Sequence, residues 1–527
     1  MLPWSGLAAV AGCPKRRSSG LVPAFMPDRA PADKTLSCGG SLPSRQETGQ
    51  TGPHRSQEAF LMPKPRIAAI VLAAGKGTRM KSRKPKVMHE IANRPMIGHV
   101  MAALKPLRCD PVVLVVAPDM EQVAQAAAPA QIAVQREQLG TGHAVMAARN
   151  ALKSVGGDLL VLYGDTPFIA TATLEAMLRR RHGADNPAMV VLGFRPDEPG
   201  GYGRLLLDAS GGLDAIIEAR DATAEQRAIK LCNSGVMALD AERMMPLLKE
   251  LRNDNAKGEY YLTDLVALAR ARGWNCAVVE APVEELMGIN SRSDLAAAEQ
   301  VFQRRARASA MEAGATLLEP DSVYFSHDTH LGQDVTIGPH VYFGPGVTVE
   351  NDVEIKGFCH IEGARIAAGA RIGPFARLRP GAAIGPDVHI GNFVEVKNAR
   401  LGPGTKANHL TYIGDADIGT GTNIGAGTIT VNYDGFSKSR TVIGANASIG
   451  SNTSLVAPVT IGAGAIVGAG SVITENVPAD AMAIARGRQV NLTGGARNFR
   501  AKRATTSKAK TAKKAGAKSG TKRKSGK

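Results

Sequence analysis

The chain has 527 residues, 44% hydrophobic and only 4% aromatic, with 58 glycines and a formal net charge of +17. At roughly 150 residues per domain, this length allows three or four folded units or one long repeat, and it excludes a mini-protein. The charge is confined: residues 500–527 carry twelve Lys and Arg and no acid, residues 1–61 add +3, and residues 62–499 keep only +2, so the basicity does not make the body a nucleic-acid-binding fold.

Residues 1–61 are rich in Arg, Pro, Ser and Gly, lack helical or strand periodicity, and read as a disordered extension. They hold no continuous apolar core of the signal-peptide type. No apolar run approaches the ~20 residues of a membrane span. Cys13, Cys38, Cys109, Cys232, Cys276 and Cys359 lie far apart with no CxxC pair. That is neither a disulfide framework nor a zinc ribbon. A soluble, cytoplasmic chain without membrane attachment is expected.

After residue 62, apolar runs at 67–72, 112–117, 158–163 and 189–193 alternate with helical stretches such as 95–104 and 142–152. The alternation predicts a Rossmann-like parallel α/β sheet over residues 62–291. Residues 72–80 (LAAGKGTRM) follow the first strand directly. Glycines there let backbone N–H groups approach a phosphate, and a following helix start favours negative charge. The run is not a P-loop, since a GK[ST] ending is missing, and Met80 stands where a dinucleotide fingerprint needs its third Gly. A lone GxG can be a bland turn, but Arg79, Lys84 and Lys86 put cations beside this one and favour an anion site.

Residues 292–315 read as a linker helix, with Leu295, Ala298, Phe302 and Ala306 on one face and Ser293 as N-cap. Residues 316–490 then show a six-residue period. Aliphatic or aromatic residues recur at Leu331, Ile337, Phe343, Val349, Ile355 and Ile361. They continue at Ile366, Ile372, Leu378, Ile384, Ile390 and Val396, resume at Ile418 and Ile424, and run from Ile443 to Ile473 after an insertion around residues 432–440. This is the signature of a hexapeptide parallel β-helix. Residues 491–527 are low-complexity and read as a disordered basic tail, with nucleic acid contacted weakly at most.

The motifs LAAGKGTRM, KPKVMH, QREQLGTGHA (with Gln135, Glu137 and Gln138), Tyr163-Gly164-Asp165, Gly201-Tyr202-Gly203-Arg204 and NDNAKGEYYLTD resemble those of sugar-1-phosphate nucleotidyltransferases. With the hexapeptide repeats behind them, residues 62–497 resemble the bacterial bifunctional N-acetylglucosamine-1-phosphate uridylyltransferase/glucosamine-1-phosphate acetyltransferase family. The resemblance implies a left-handed β-helix, a homotrimer, and UTP, glucosamine-1-phosphate, N-acetylglucosamine-1-phosphate and acetyl-coenzyme A as substrates. It also implies precursor supply for peptidoglycan and lipopolysaccharide.

It further implies roles for individual residues. Leu72, Ala73, Ala74, Gly75, Gln135, Gly140 and Thr141 would hold uracil and ribose. Arg79 and Lys86 would act catalytically on the phosphates, with Tyr163 and Gly164 beside the substrate. Asp165 and Asn290 would hold Mg2+. Gly203, Glu218 and Asn233 would contact the amino sugar. In the β-helix, His409 would be the general base, Arg379 and Lys397 a phosphate clamp, and Tyr412 and Asn423 sugar contacts. Ala426, Asn432, Tyr433, Ser451, Ala469 and Arg486 would line the acetyl-coenzyme A site.

Taken alone, several of these residues have plainer readings. Asp165 could be a turn residue at a strand end, Glu218 a solvated carboxylate beside Arg220, His409 a structural histidine, and VNYDG an ordinary surface turn. Two other functions compete: a single-activity nucleotidyltransferase whose β-helix only oligomerises or regulates, and a basic structural protein binding nucleic acid. The His409, Lys397, Tyr412 and Asn432-Tyr433 set argues against the first, since a scaffold needs only its aliphatic rungs. The confinement of charge to the tail argues against the second.

Overall fold

The computed structural model describes residues 66–153, 155–255 and 257–519; the extension expected over residues 1–61 lies outside them. The four apolar runs form the strands Ile67–Leu72, Val112–Val116, Asp158–Tyr163 and Met189–Phe194. Across the sheet the order is Cys276–Glu280, Met189–Phe194, Cys232–Asp240, Asp158–Tyr163, Ile67–Leu72, Val112–Val116, Gln131–Val134. Ile67–Leu72 pairs in parallel with both its neighbours. The expected parallel sheet is in part mixed: Cys232–Asp240 runs antiparallel to the strands on either side, and the antiparallel hairpin Arg204–Leu207 and Leu213–Ile217 pairs with it. Apolar cores cover both faces, with Ile70 and Val161 on one and Val71 and Leu162 on the other. Burial on both sides explains why these strands read as continuous apolar runs. The helices Met96–Leu104 and Thr141–Ala148 pack against the two faces.

The linker helix is Arg292–Glu312. Its N-cap is Ser291, not Ser293. Ser291 Oγ accepts from Asp294 N, and Asp294 Oδ2 accepts from Ser291 N at 2.9 Å. A capping box needs a side-chain acceptor three residues on; Ser291 has Asp294 there, whereas Ser293 has Ala296. Ala298 and Val301 are buried against the first domain, and Ala306 packs on the β-helix core.

The hexapeptide region forms three parallel sheets, the walls of a left-handed parallel β-helix. Stacked rungs such as Ile337, Ile355, Ile372, Ile390, Ala407, Ile424, Ile449 and Val467 are all buried. The repeat does not lapse between Val396 and Ile418: Leu401, Ala407 and Ile413 occupy the inward positions, with five-residue steps from Val396 to Leu401 and from Ile413 to Ile418, at the same corner of successive coils. Thr430 fills one rung, its hydroxyl donating to Gly414 O and accepting from Gly414 N, which satisfies a polar group where the others bury carbon.

Residues Gly495–Ser519 form an α-helix, where the low-complexity composition predicted disorder. Ala, Lys and Arg are strong helix formers, so local propensity supports the helix although its described side chains are exposed. Among the described residues, no helix is long and apolar enough to cross a membrane.

Candidate functional site

The first site is a cavity of about 340 Å³ at the carboxyl end of the central strands. It is lined by Leu72, Ala73, Ala74, Gly75, Lys86, Gln135, Gly140, Thr141, Tyr163 and Asp165, together with Val87, Gln138, Ala144 and Glu259. Pairing of Ile67–Leu72 with Asp158–Tyr163 puts Leu72 beside Tyr163, and Gly164 N donates to Leu72 O at 2.9 Å. Gln138 Nε2 donates to Ala74 O at 2.6 Å, and Gln135 Nε2 to Gly140 O at 3.1 Å. The first bond ties the Gly-rich turn to the loop that follows Gln131–Val134, and the second closes that loop on itself. Gly140 has φ +102°, and a Cβ there would lie 2.7 Å from Tyr260 O, so only glycine permits this approach.

Lys86 Nζ contacts Asp165 Oδ2 and donates to Asn290 Oδ1 at 3.1 Å. Two oxygens from positions 125 residues apart in sequence thus converge on one cation. Asp294, the N-cap partner, also accepts from Asn290 N at 2.9 Å, so the linker-helix cap positions the Asn290 loop. Arg292 Nε donates to Met80 O at 3.3 Å and ties the same helix to the Gly-rich turn. Among the described residues, no cluster of three or more His, Cys, Asp or Glu could cage a metal. A hard carboxylate and an amide oxygen fit a magnesium ion that keeps waters and takes its other ligands from phosphate.

Tyr163 is pushed above the usual phenol range by burial, with Asp165 adding to the shift. Glu218 is raised by burial, which Lys257 opposes; it is no freely solvated carboxylate. Gly203 O accepts from Asn233 N at 2.8 Å, and Asn233 Oδ1 accepts from Gly235 N at 2.9 Å. Arg79 stands apart. It is exposed on the turn Thr78–Met80 and does not line the cavity. Burial alone would raise the Asp294 carboxyl, but N–H donors from Asn290 and Ser291, the Ser291 hydroxyl and the charge of Arg79 hold it below its ordinary range.

The second set of residues falls at two corners of the β-helix. At the first, parallel pairing puts His409 beside Asn392, and His409 Nδ1 donates to Asn392 Oδ1 at 2.9 Å. In the neutral ring this bond leaves the lone pair on Nε2. One coil on, Gly427 N donates to His409 O. Ala426 O then accepts from Asn452 N at 2.7 Å, Ser451 O from Gly470 N at 2.8 Å, and Ala469 O from Arg486 Nη1 at 2.7 Å. Ala426, Ser451, Ala469 and Arg486 therefore form a column running away from His409. Asn423 is exposed on the wall that carries His409, in the next coil.

At the second corner Arg379 Nη1 donates to Glu395 Oε1 at 2.7 Å, while its Nε is buried with no partner among the described residues. Lys397 is held below the usual lysine range, first by Lys438 and then by Arg379. Tyr412 pairs with Glu395, and its ring lies over Gly414, where a Cβ would be far too close. Asp415 clips both ends of the 432–440 insertion. Its side chain accepts from Asn432 Nδ2 and Asn398 Nδ2, and its backbone O accepts from Thr441 N at 3.1 Å. Burial alone would raise that carboxyl; the two amides outweigh it and lower it. Tyr433 is exposed and bridges Lys438 across the insertion. The VNYDG turn is therefore anchored to the basic corner. Asn392, Asp415 and Lys438 did not emerge from the sequence; their partners lie one coil or more away, a spacing that becomes visible only in the folded register.

A family model for MobA-like NTP transferase domains matches residues 69–231, and the six-repeat bacterial transferase hexapeptide model matches residues 328–363, 363–398 and 440–475. The bifunctional protein GlmU of Paramagnetospirillum magneticum is 59% identical over 449 residues, covering 85% of this chain and 99% of that protein. Its namesake in Rhodospirillum rubrum is 59% identical over 436 residues, covering 83% and 98%. That of Zymomonas mobilis is 51% identical over 438 residues, covering 82% and 97%.

Proposed function

The chain belongs to the family of bifunctional GlmU proteins, and from that membership we propose how its two sites divide the work. It is a bifunctional transferase making UDP-N-acetylglucosamine for cell-wall synthesis, dependent on Mg2+ and using acetyl-coenzyme A as acetyl donor. Acetyl transfer to glucosamine-1-phosphate comes first; uridylyl transfer from UTP to the product follows and releases pyrophosphate.

For acetyl transfer, His409 is the general base. The Asn392 bond fixes the Nδ1–H tautomer and aims the Nε2 lone pair outward. The sugar amine attacks the thioester carbonyl, Nε2 takes the amine proton, and the C–S bond breaks as the imidazolium returns that proton to the leaving sulfur, so that coenzyme A departs as a thiol and His409 is restored. The Ala426, Ser451, Ala469 and Arg486 column receives the coenzyme A chain, with Asn432 and Tyr433 from the insertion. Arg379 and Lys397 clamp the sugar phosphate, and Tyr412 and Asn423 contact the sugar. The observation that carries this reading is the Asn392–His409 bond at the head of that column.

For uridylyl transfer, a phosphate oxygen of N-acetylglucosamine-1-phosphate attacks the α-phosphorus of UTP, and the bond to the β-phosphate oxygen breaks. Leu72 to Gly75, Gln135, Gly140 and Thr141 hold the nucleoside. Tyr163 and Gly164 lie beside it, while Gly203, Glu218 and Asn233 hold the amino sugar. Lys86 at the cavity and Arg79 on the exposed turn beside it offset phosphate charge. Asp165 and Asn290 would hold the magnesium, which when bound neutralises charge on the phosphate oxygens.

The chain works as a trimer in the cytoplasm. Supporting the trimer, the residues assigned to acetyl transfer stand at two separate corners of one β-helix. Supporting it too, Phe358, Phe375 and Phe393 stack in an exposed ladder that runs into Leu410 beside His409. At that same corner the next coils place Gly427, Asn452 and Gly470. The corner thus changes from apolar to small and polar beyond the base, as a packed interface giving way to a ligand channel would. Incubating the protein with glucosamine-1-phosphate, acetyl-coenzyme A, UTP and magnesium, omitting each in turn, tests the assignment. UDP-N-acetylglucosamine should form only in the complete mixture. Its formation without acetyl-coenzyme A would contradict the reading.

A further inference from the structure

The C-terminal helix Gly495–Ser519 plays no part in either site. It carries nine Lys and Arg and no acid. Its described side chains beyond Gly495, from Ala496 to Lys513, are exposed. At 1.5 Å per residue, 25 residues make a rod of about 37 Å. Arg500, Arg503 and Lys510 recur on one face by spacing, while Lys502 and Lys513 fall on another, and the sector between them that lacks charge carries only small or polar residues, Asn498, Ala501, Thr505, Ala509 and Ala512. Phe499 is the only large apolar residue in the helix.

A helix that lies in a membrane interface needs an apolar stripe of Trp, Phe or Leu, and one that docks in a protein groove needs apolar anchors at i, i+3 and i+7. This helix has neither. It has like charges in sequence, which repel along the rod and which a polyanion neutralises while releasing its own counterions. Duplex nucleic acid presents a negative charge about every 1.7 Å, and one helical turn is about as long as this rod. We propose that the C-terminal helix is a duplex nucleic-acid-binding arm that contacts phosphates and reads no sequence. The nearly neutral body contributes nothing to the contact. The chain would then hold a cell-wall precursor enzyme near nucleic acid without altering either reaction.

The test is fluorescence anisotropy of a labelled duplex of roughly 20 base pairs with the full chain. A variant with Lys502→Gln, Lys508→Gln, Lys510→Gln and Lys513→Gln serves as comparison, and both transferase activities report its fold. The wild type should bind with a Kd of about 10⁻⁴ to 10⁻⁶ M, equally for unrelated sequences, and weaken steeply with salt. The variant should bind at least tenfold more weakly at low salt, flatten the log–log salt slope by about 3, and keep both activities. Absence of binding at 50 mM salt, or equal binding by the variant, would overturn the proposal. So would tighter binding to phosphatidylserine vesicles or polyglutamate than to the duplex at the same salt.

Discussion

At the scale of single residues, the proposed acetyl-transfer chemistry turns on the Asn392–His409 hydrogen bond. His409→Ala removes the proposed proton acceptor and should lower acetyl transfer on the order of a hundredfold or more. Asn392→Ala leaves the ring present but unaimed, so a smaller loss is expected, in kcat rather than KM; steady-state kinetics of free-thiol release separates the two. Lys397 supplies a pH test. Its ammonium lies below the ordinary lysine range because Lys438 and Arg379 crowd it, so glucosamine-1-phosphate binding should weaken with rising pH sooner than a free lysine would allow. Lys438→Gln removes the largest cause and should move that alkaline limb to higher pH. A limb that moves down, or stays fixed, in kcat/KM against pH would show that Lys397 does not hold the phosphate. Neither Asn392 nor Lys438 was legible in the sequence. An asparagine 17 residues before a histidine signals nothing until one coil is known to be that long.

At the scale of elements, glycines set how closely coils and loops approach. A Cβ at Gly391 would lie 1.9 Å from Asn408 O. Gly391→Ala should therefore push apart the strands His389–Asn392 and Lys406–His409, break the Asn392–His409 bond, and destabilise the β-helix by about 1–3 kcal/mol. Thermal unfolding and thiol release should both report it while pyrophosphate release is spared. Gly140→Ala is its counterpart in the other domain. With φ at +102° and Tyr260 O in the way, it should raise KM for UTP and leave acetyl transfer intact. The six-residue period was plain in the sequence because each aliphatic rung faces the same interior. It is masked in sequence between Val396 and Ile418, where two five-residue steps shift its phase and the small rung Ala407 replaces a larger aliphatic residue, although the coils themselves continue. The antiparallel strand Cys232–Asp240 escaped notice because direction leaves no mark on apolarity. The C-terminal helix is hidden in the sequence because low complexity signals disorder, while the helix propensity of its Ala, Lys and Arg residues favours order.

At the scale of the whole molecule, two cores built on different periods share one chain, joined by a helix whose cap also sets Asn290. The domain order could be read from two motif sets in succession. The convergence of Asp165 and Asn290 on Lys86 could not, because only resemblance linked residues so far apart. The central claim is that each core runs its own reaction. The direct test is to measure pyrophosphate and free thiol separately for Asp165→Ala and His409→Ala, with circular dichroism confirming the fold. Asp165→Ala should lose pyrophosphate release and keep thiol release. His409→Ala should lose thiol release yet release pyrophosphate normally when given N-acetylglucosamine-1-phosphate. Loss of both activities in either folded variant would contradict the account.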